Sequence, residues 1–264
     1  MTDTATHATA LRLATTDAGS GEPALLLVPG WCGDRTVFDA LVAGAAPHRR
    51  AVSVDLPAHG ESPDPGEFGT AAVVDALVAT LEELGVERVV PVALSHAGWA
   101  AIALRRRLGP ESVPGVVLLD WMVLGTPPGF ADALAGLRSP QWRTVSDGLR
   151  AMWTAGLDIP ALSSYVDSMG RYGEAHWARA GREIAAGFAE NPVPLEALGA
   201  LQPCPTLHLY AQPADDEVLA AQQDHAQAHP WFEVHRLEAR SHFPMFEVPE
   251  AMTERIEDFV ARLG

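Results

Sequence analysis

The apolar and polar positions of the chain alternate between short buried runs and amphipathic stretches. Ala24–Val28 (ALLLV) and Val89–Leu94 (VVPVAL) are nearly continuous apolar runs, as are residues 51–55 (AVSVD), 115–119 (GVVLL), 205–210 (PTLHLY) and 232–237. Gly, Pro, Asp or Ser bound most of them, so each is expected to be a strand covered on both faces. Residues 11–15 alternate weakly and read as an edge strand. Between the strands the period changes. In 70–84, Val73, Val74, Leu77, Leu81 and Leu84 fall on one helical face, and Gly85 stops the helix. Helices are also expected from 34 to 43, after Ser95 up to Gly109-Pro110, over 222–229, and from Pro249 to 263, where Met252, Ile256, Phe259 and Val260 turn inward.

Strands that alternate with helices imply an α/β fold with a mostly parallel sheet flanked by helices. Sites in such sheets lie beyond the carboxyl ends of the strands. Four loops are expected to converge there: 29–33, 56–62, 95–98 and 120–126. From residue 125 the texture changes. Helical pieces alternate with Pro and Gly, no strand-like alternation occurs, and Phe130, Trp142, Trp153, Tyr165, Tyr172, Trp177 and Phe188 crowd together. We therefore expect a helical cap at 125–199, inserted in a core made of 1–124 and 200–264.

Composition narrows the function. With 34 acidic against 18 basic residues the formal net charge is −16. This disfavours nucleic acid and anionic membranes, which need clustered Lys and Arg, and suits a monomer kept apart by self-repulsion. Two cysteines, Cys32 and Cys204, form neither a metal motif nor a disulfide framework, and no metal site is expected. The first residues lack a basic segment followed by an apolar block, and the apolar run 116–124 is interrupted by Asp120 and too short to span a bilayer. A reduced, cytoplasmic setting is the expectation.

The chemistry centres on Pro91 to Gly109, PVALSHAGWAAIALRRRLG. Ser95 stands at the break between a buried strand and a helix, the nucleophile-elbow arrangement. The small residues that the tight turn requires are Ala93 and Ala97 instead of the usual glycines. The plain alternative for Ser95 is a helix N-cap. His242 follows the last strand, so the chain order serine, acid, histidine is that of an α/β-hydrolase triad. The acid is either Asp120, in the apolar VVLLDW, or one of Asp215 and Asp216, which look like solvated loop charge. Asp120 is favoured because a buried acid needs a partner. The backbone N–H groups of Trp31 and His96 are placed to form an oxyanion hole. His59 in PAHGES reads as a buried structural histidine.

With LLLVPGWC, PVALSHAGW, LLDWMVLGTPPGFADAL, QPADD, AHPWFEV and SHFP, the chain resembles the cofactor-independent 3-hydroxy-4(1H)-quinolone 2,4-dioxygenases, a branch of the α/β-hydrolase superfamily. The resemblance implies ring cleavage of a 3-hydroxy-4(1H)-quinolone by O₂, release of carbon monoxide and an N-acylanthranilate, and no metal or organic cofactor. It implies that His242 is the general base, Asp120 its orienting carboxylate and Ser95 a hydrogen-bonding partner. Trp31 and His96 would hold the substrate oxygen, and Trp153 would line the substrate within the aromatic lid. Some relatives carry histidines where this chain has Gly33 and Leu94, which suggests a roomier, more apolar pocket for a longer 2-alkyl chain. Two other readings use the same residues: a serine hydrolase of a small ester or amide, and a ligand-binding protein with a vestigial site.

Overall fold

The computed structural model describes residues 11–202 and 204–264. Among the described residues seven strands, β1 (Thr15–Ala18), β2 (Ala24–Val28), β3 (Ala51–Val54), β4 (Val89–Leu94), β5 (Val116–Leu119), β6 (Thr206–Tyr210) and β7 (Phe232–Arg236), form one sheet in the order β1-β3-β2-β4-β5-β6-β7. Only β1 is antiparallel to its neighbour; every other pairing is parallel.

Successive side chains of a strand point to opposite faces, and here both faces are covered. Leu26, Val28, Ala93 and Leu118 pack with α2 (Thr70–Glu83) and α3 (Gly98–Ser112). Leu25, Leu27, Leu94 and Leu119 pack on the other side with α1 (Asp39–Ala45) and α10 (Pro249–Ala261). Each fully buried leucine contributes about 1.5–3 kcal/mol, so the central strands hold the loops at their carboxyl ends on a rigid base. Between β5 and β6 lie α4 (Phe130–Leu137), α5 (Trp142–Thr154), α6 (Pro160–Ser168), α7 (Glu174–Glu190) and α8 (Pro194–Gly199); α9 (Asp216–Ala228) joins β6 to β7. Leu195 and Leu198 of α8 are completely buried in the same cluster as α3. No helix among the described residues is long and apolar enough to cross a membrane.

Some boundaries differ from the sequence pattern. The edge strand is Thr15–Ala18 and not 11–15: none of its residues is fully buried, so burial periodicity cannot mark it. A 3-10 turn at Arg35–Phe38 precedes α1, which starts at Asp39. Helix α9 begins at Asp216, ahead of the expected 222, because it is largely exposed and only Gln222 is buried. Helix α3 breaks at Gly109 (φ 78°), as the Gly-Pro pair predicts, but a further turn follows to Ser112.

Candidate active site

The four loops at the carboxyl ends of β2, β3, β4 and β5 share one backbone feature. Of the five non-glycine residues with positive φ among the described residues, four lie in them: Cys32 (61°), Ala58 (61°), Ser95 (55°) and Asp120 (47°). Left-handed geometry costs a non-glycine residue about 1–3 kcal/mol, and such strain collects at functional sites. Ser95 is the first residue after β4 and is followed by a 3-10 turn to Ala97 and then by α3. Ala93 and Ala97 are both buried, and Gly98 has no room for a Cβ because the Trp121 ring lies against it.

Asp120 is 4% exposed and its carboxylate is fully engaged. Oδ2 accepts from the backbone N–H groups of Ala211 (2.8 Å) and Gln212 (3.2 Å), and Oδ1 lies 3.0 Å from His242 Nδ1. A carboxylate only accepts, so Nδ1 of His242 donates, which in the neutral imidazole leaves the lone pair on Nε2. The indole of Trp153, from α5, stacks on the His242 ring at 5.4 Å and 20°. Among the described residues Ser95 makes no hydrogen bond to His242. Under this site His208 donates from Nδ1 to Gln222 Oε1 (2.6 Å) and accepts from the Trp121 backbone N–H at Nε2 (3.4 Å). Burial holds His208 down at about pH 4.

Loop 29–33 passes directly over the elbow: a Cβ on Gly30 would lie 3.6 Å from Ser95 Cβ. His59 fixes this loop. Its Nδ1 donates to Pro57 O (2.8 Å), and its Nε2 accepts from the Cys32 N–H (3.1 Å). Burial lowers its pKa to about 4, so the acceptor is kept. The structural role read for His59 thus extends to the loop that carries Trp31. Trp31 stacks on Phe68 (6.0 Å, 21°) and, with His96, borders one small cavity. His96 accepts at Nδ1 from the Trp121 indole N–H (3.0 Å) and lies 5.6 Å from the rings of both Phe130 and Phe188. Burial, and then the nearby His242, push its pKa down to about 3.

The helical segment between β5 and β6 is strapped to the same loops. Tyr165 Oη accepts from the Asp34 N–H (3.3 Å), and Tyr172 Oη accepts from the Gly60 N–H (3.0 Å) and donates to Gly33 O (3.3 Å). Arg171 pairs with Asp34, and His176 Nε2 donates to Ala58 O (3.0 Å). The structure thus brings Ser95, Asp120, His242, Trp153, Trp31 and His96 to one end of the sheet. Asp215 and Asp216 also follow β6 at that end, but neither makes a hydrogen bond or ion pair with His242. Asp215 caps α9, accepting from the Glu217 N–H (2.7 Å), and Asp216 pairs with Arg236. Beside Gly33, Tyr165 Oη occupies the place a Cβ would take. Among the described residues no group of three or more His, Cys, Asp or Glu is arranged to hold a metal ion. The sequence did not single out the Trp121 side chain, His208 or the Tyr165–Tyr172 straps. The aromatic density of the insert was the available signal for the straps.

The model of the alpha/beta hydrolase family matches residues 25–255. The 2-heptyl-3-hydroxy-4(1H)-quinolone dioxygenase of Mycobacteroides abscessus is 34% identical over 246 residues, covering 90% of each chain. A 2-heptyl-3-hydroxy-4-quinolone dioxygenase of Rhodococcus erythropolis is 32% identical over 237 residues, covering 89% of this chain and 85% of that protein. A solved structure, described as the basis for recognition and ring cleavage of the Pseudomonas quinolone signal and determined with its product, superposes with a TM-score of 0.90 at 32% identity, over 95% of this chain and 97% of the other. The carboxylate-braced imidazole, the strained elbow and these full-length likenesses agree: the chain belongs to the alpha/beta hydrolase family, in the branch of the 3-hydroxy-4(1H)-quinolone 2,4-dioxygenases.

Proposed function

We propose that this protein cleaves the heterocycle of a 2-alkyl-3-hydroxy-4(1H)-quinolone with O₂, releasing carbon monoxide and an N-acylanthranilate, and that it needs neither metal nor organic cofactor. The observation that carries this reading is the His242–Asp120 pair. Asp120 Oδ1, 3.0 Å from Nδ1, leaves the opposite nitrogen as a base, under the Trp153 ring. His242 Nε2 takes the 3-hydroxyl proton, a step that a positioned base accelerates about 10²–10⁴-fold. The anion that remains is electron-rich and gives an electron to O₂. The two radicals combine at C2, the peroxide attacks the C4 carbonyl, and the backbone N–H groups of Trp31 and His96 hold the oxyanion. Collapse of the bridged ring breaks C2–C3 and C3–C4 together with the O–O bond. C3 leaves as carbon monoxide, and both oxygen atoms of O₂ stay in the product. Residues 125–199 act as a lid that keeps water from the anion.

The test is anaerobic mixing of chelator-treated protein with a 3-hydroxy-2-alkylquinolone, followed by admission of air. The anion spectrum should form first, and O₂ uptake with carbon monoxide release should follow. No O₂ uptake with any 3-hydroxyquinolone, or loss of turnover on chelation, would overturn the reading. One observation favours a second reading, a serine hydrolase: Ser95 sits at φ 55°, as an elbow nucleophile does. Ser95→Ala separates the two. A dioxygenase keeps appreciable turnover, whereas a hydrolase loses essentially all of it and its wild-type serine is labelled by a fluorophosphonate.

A further inference from the structure

His96 holds a second imidazole in the site, and its proton can be placed without ambiguity. An indole N–H only donates. The Trp121 Nε1–H lies 3.0 Å from His96 Nδ1, so Nδ1 carries a lone pair. Phe130 and Phe188, each 5.6 Å away, complete an aromatic box around the ring. An imidazole kept neutral in such a box and unprotonated at Nδ1 must carry its proton on Nε2. Trp121 is itself held in place: its ring lies against the bare Gly98 and meets Trp99 edge-on at 4.8 Å. Nε2 of His96 makes no hydrogen bond to any described residue, and it is not among the sealed, unpartnered atoms.

We propose that Trp121 is a positioning residue that locks His96 as a neutral Nε2–H donor for an oxygen of the bound quinolone, and that the consecutive residues Asp120 and Trp121 set the two imidazoles of the site to opposite tautomers. Asp120 accepts from His242 and makes it a base; Trp121 donates to His96 and makes it a donor that does not compete for the substrate's proton. The substrate contact rests on the quinolone reading above, but the tautomer does not.

The test begins with the wild-type protein. A two-bond ¹H–¹⁵N spectrum of the histidine rings, with His96 assigned by its loss in His96→Leu, should show an unprotonated Nδ1 and a protonated Nε2, unchanged between about pH 5 and about pH 9. A protonated Nδ1, or titration within that range, overturns the proposal. Trp121→Phe keeps the ring but loses the N–H. It should give mixed tautomers and a KM for 3-hydroxyquinolone raised about 3–10-fold, with the acidic limb of the kcat–pH profile, set by the base, unmoved. His96→Leu should raise KM about 10–100-fold, because a donor to an anionic oxygen is lost, and His96→Gln should recover part of that. If Trp121→Phe does not fold, the wild-type spectrum and the two His96 variants decide. Wild-type KM in His96→Leu overturns the substrate contact. A fixed tautomer in a protein that binds no 3-hydroxyquinolone would instead sink the functional reading, and the contact with it.

Discussion

On one side of the site the imidazole of His242 leans on a carboxylate that takes three hydrogen bonds, with a single indole stacked above it. On the other side the imidazole of His96 leans on an indole N–H and is enclosed by Phe130 and Phe188. The partners come from adjacent residues, Asp120 and Trp121, at the end of one strand. The positive φ of Asp120 turns the chain there, and His208 below accepts from the Trp121 backbone N–H. On the proposed reading, the role of each histidine follows from what its Nδ1 faces. A carboxylate leaves a lone pair on Nε2, and a donor leaves a proton there.

The sharpest way to break this contrast is to make one half resemble the other. In Asp120→Asn an amide replaces the carboxylate 3.0 Å from His242 Nδ1. If its NH₂ turns toward Nδ1, His242 takes the Nε2–H form and stops being a base. We expect kcat for O₂ uptake to fall about 10²–10⁴-fold, with quinolone affinity changed far less. A variant within tenfold of wild type would remove Asp120 from the mechanism.

The next effect is on stability. His59, His208 and His96 are held near pKa values of about 4, about 4 and about 3, in each case chiefly by burial, against 6.5 when unperturbed. The unfolded chain therefore binds protons first as the pH drops. Stability is full above about pH 6.5 and drains as the pH falls toward 4, by up to about 1.4 kcal/mol per pH unit for each such histidine. Urea midpoints at pH 7.5 and pH 4.5 should differ strongly, and His96→Leu should flatten the slope by its share. A slope the same in His96→Leu as in wild type would mean that His96 is not held neutral.

The strands at the centre of the sheet were legible because they are apolar on both faces, and the placement of Ser95, Asp120 and His242 at the sheet's carboxyl end was legible because each lies in a segment that follows a strand. Strand β1 and helix α9 were obscured by their exposure, since burial periodicity needs burial. Trp121 was visible only as part of the LLDW run, and the hydrogen bond that ties it to His96 spans 25 residues, which no local pattern encodes. The same holds for Gly33. The sequence offered an empty position, and Tyr165, far along the chain, occupies it.

Trp153 tests the cover on the His242 side. Its stack at 5.4 Å and 20° is one aromatic contact, of the kind that contributes about 0.5–1.5 kcal/mol beyond buried area. Trp153→Ala should therefore raise KM about 2–10-fold and leave the pH at which the base titrates close to that of wild type. A large move in that pH would show that the indole tunes the base as well as covering it.

The smallest effect tests the choice of acid. Asp215 follows β6, where an acid partner for His242 was the alternative expectation, but it caps α9 by accepting the Glu217 N–H at 2.7 Å. Removing an N-cap aspartate costs about 0.5–2 kcal/mol of stability. Asp215→Ala should lower the melting temperature by a few degrees and leave kcat and KM for the quinolone unchanged. Glu217→Ala, which keeps the backbone donor, should leave the cap intact and serves as the control. A fall in kcat for Asp215→Ala matching that of Asp120→Asn would mean that the carboxylate bracing His242 comes from β6 during turnover. The pairing of Asp120 with Trp121 would then lose its catalytic half.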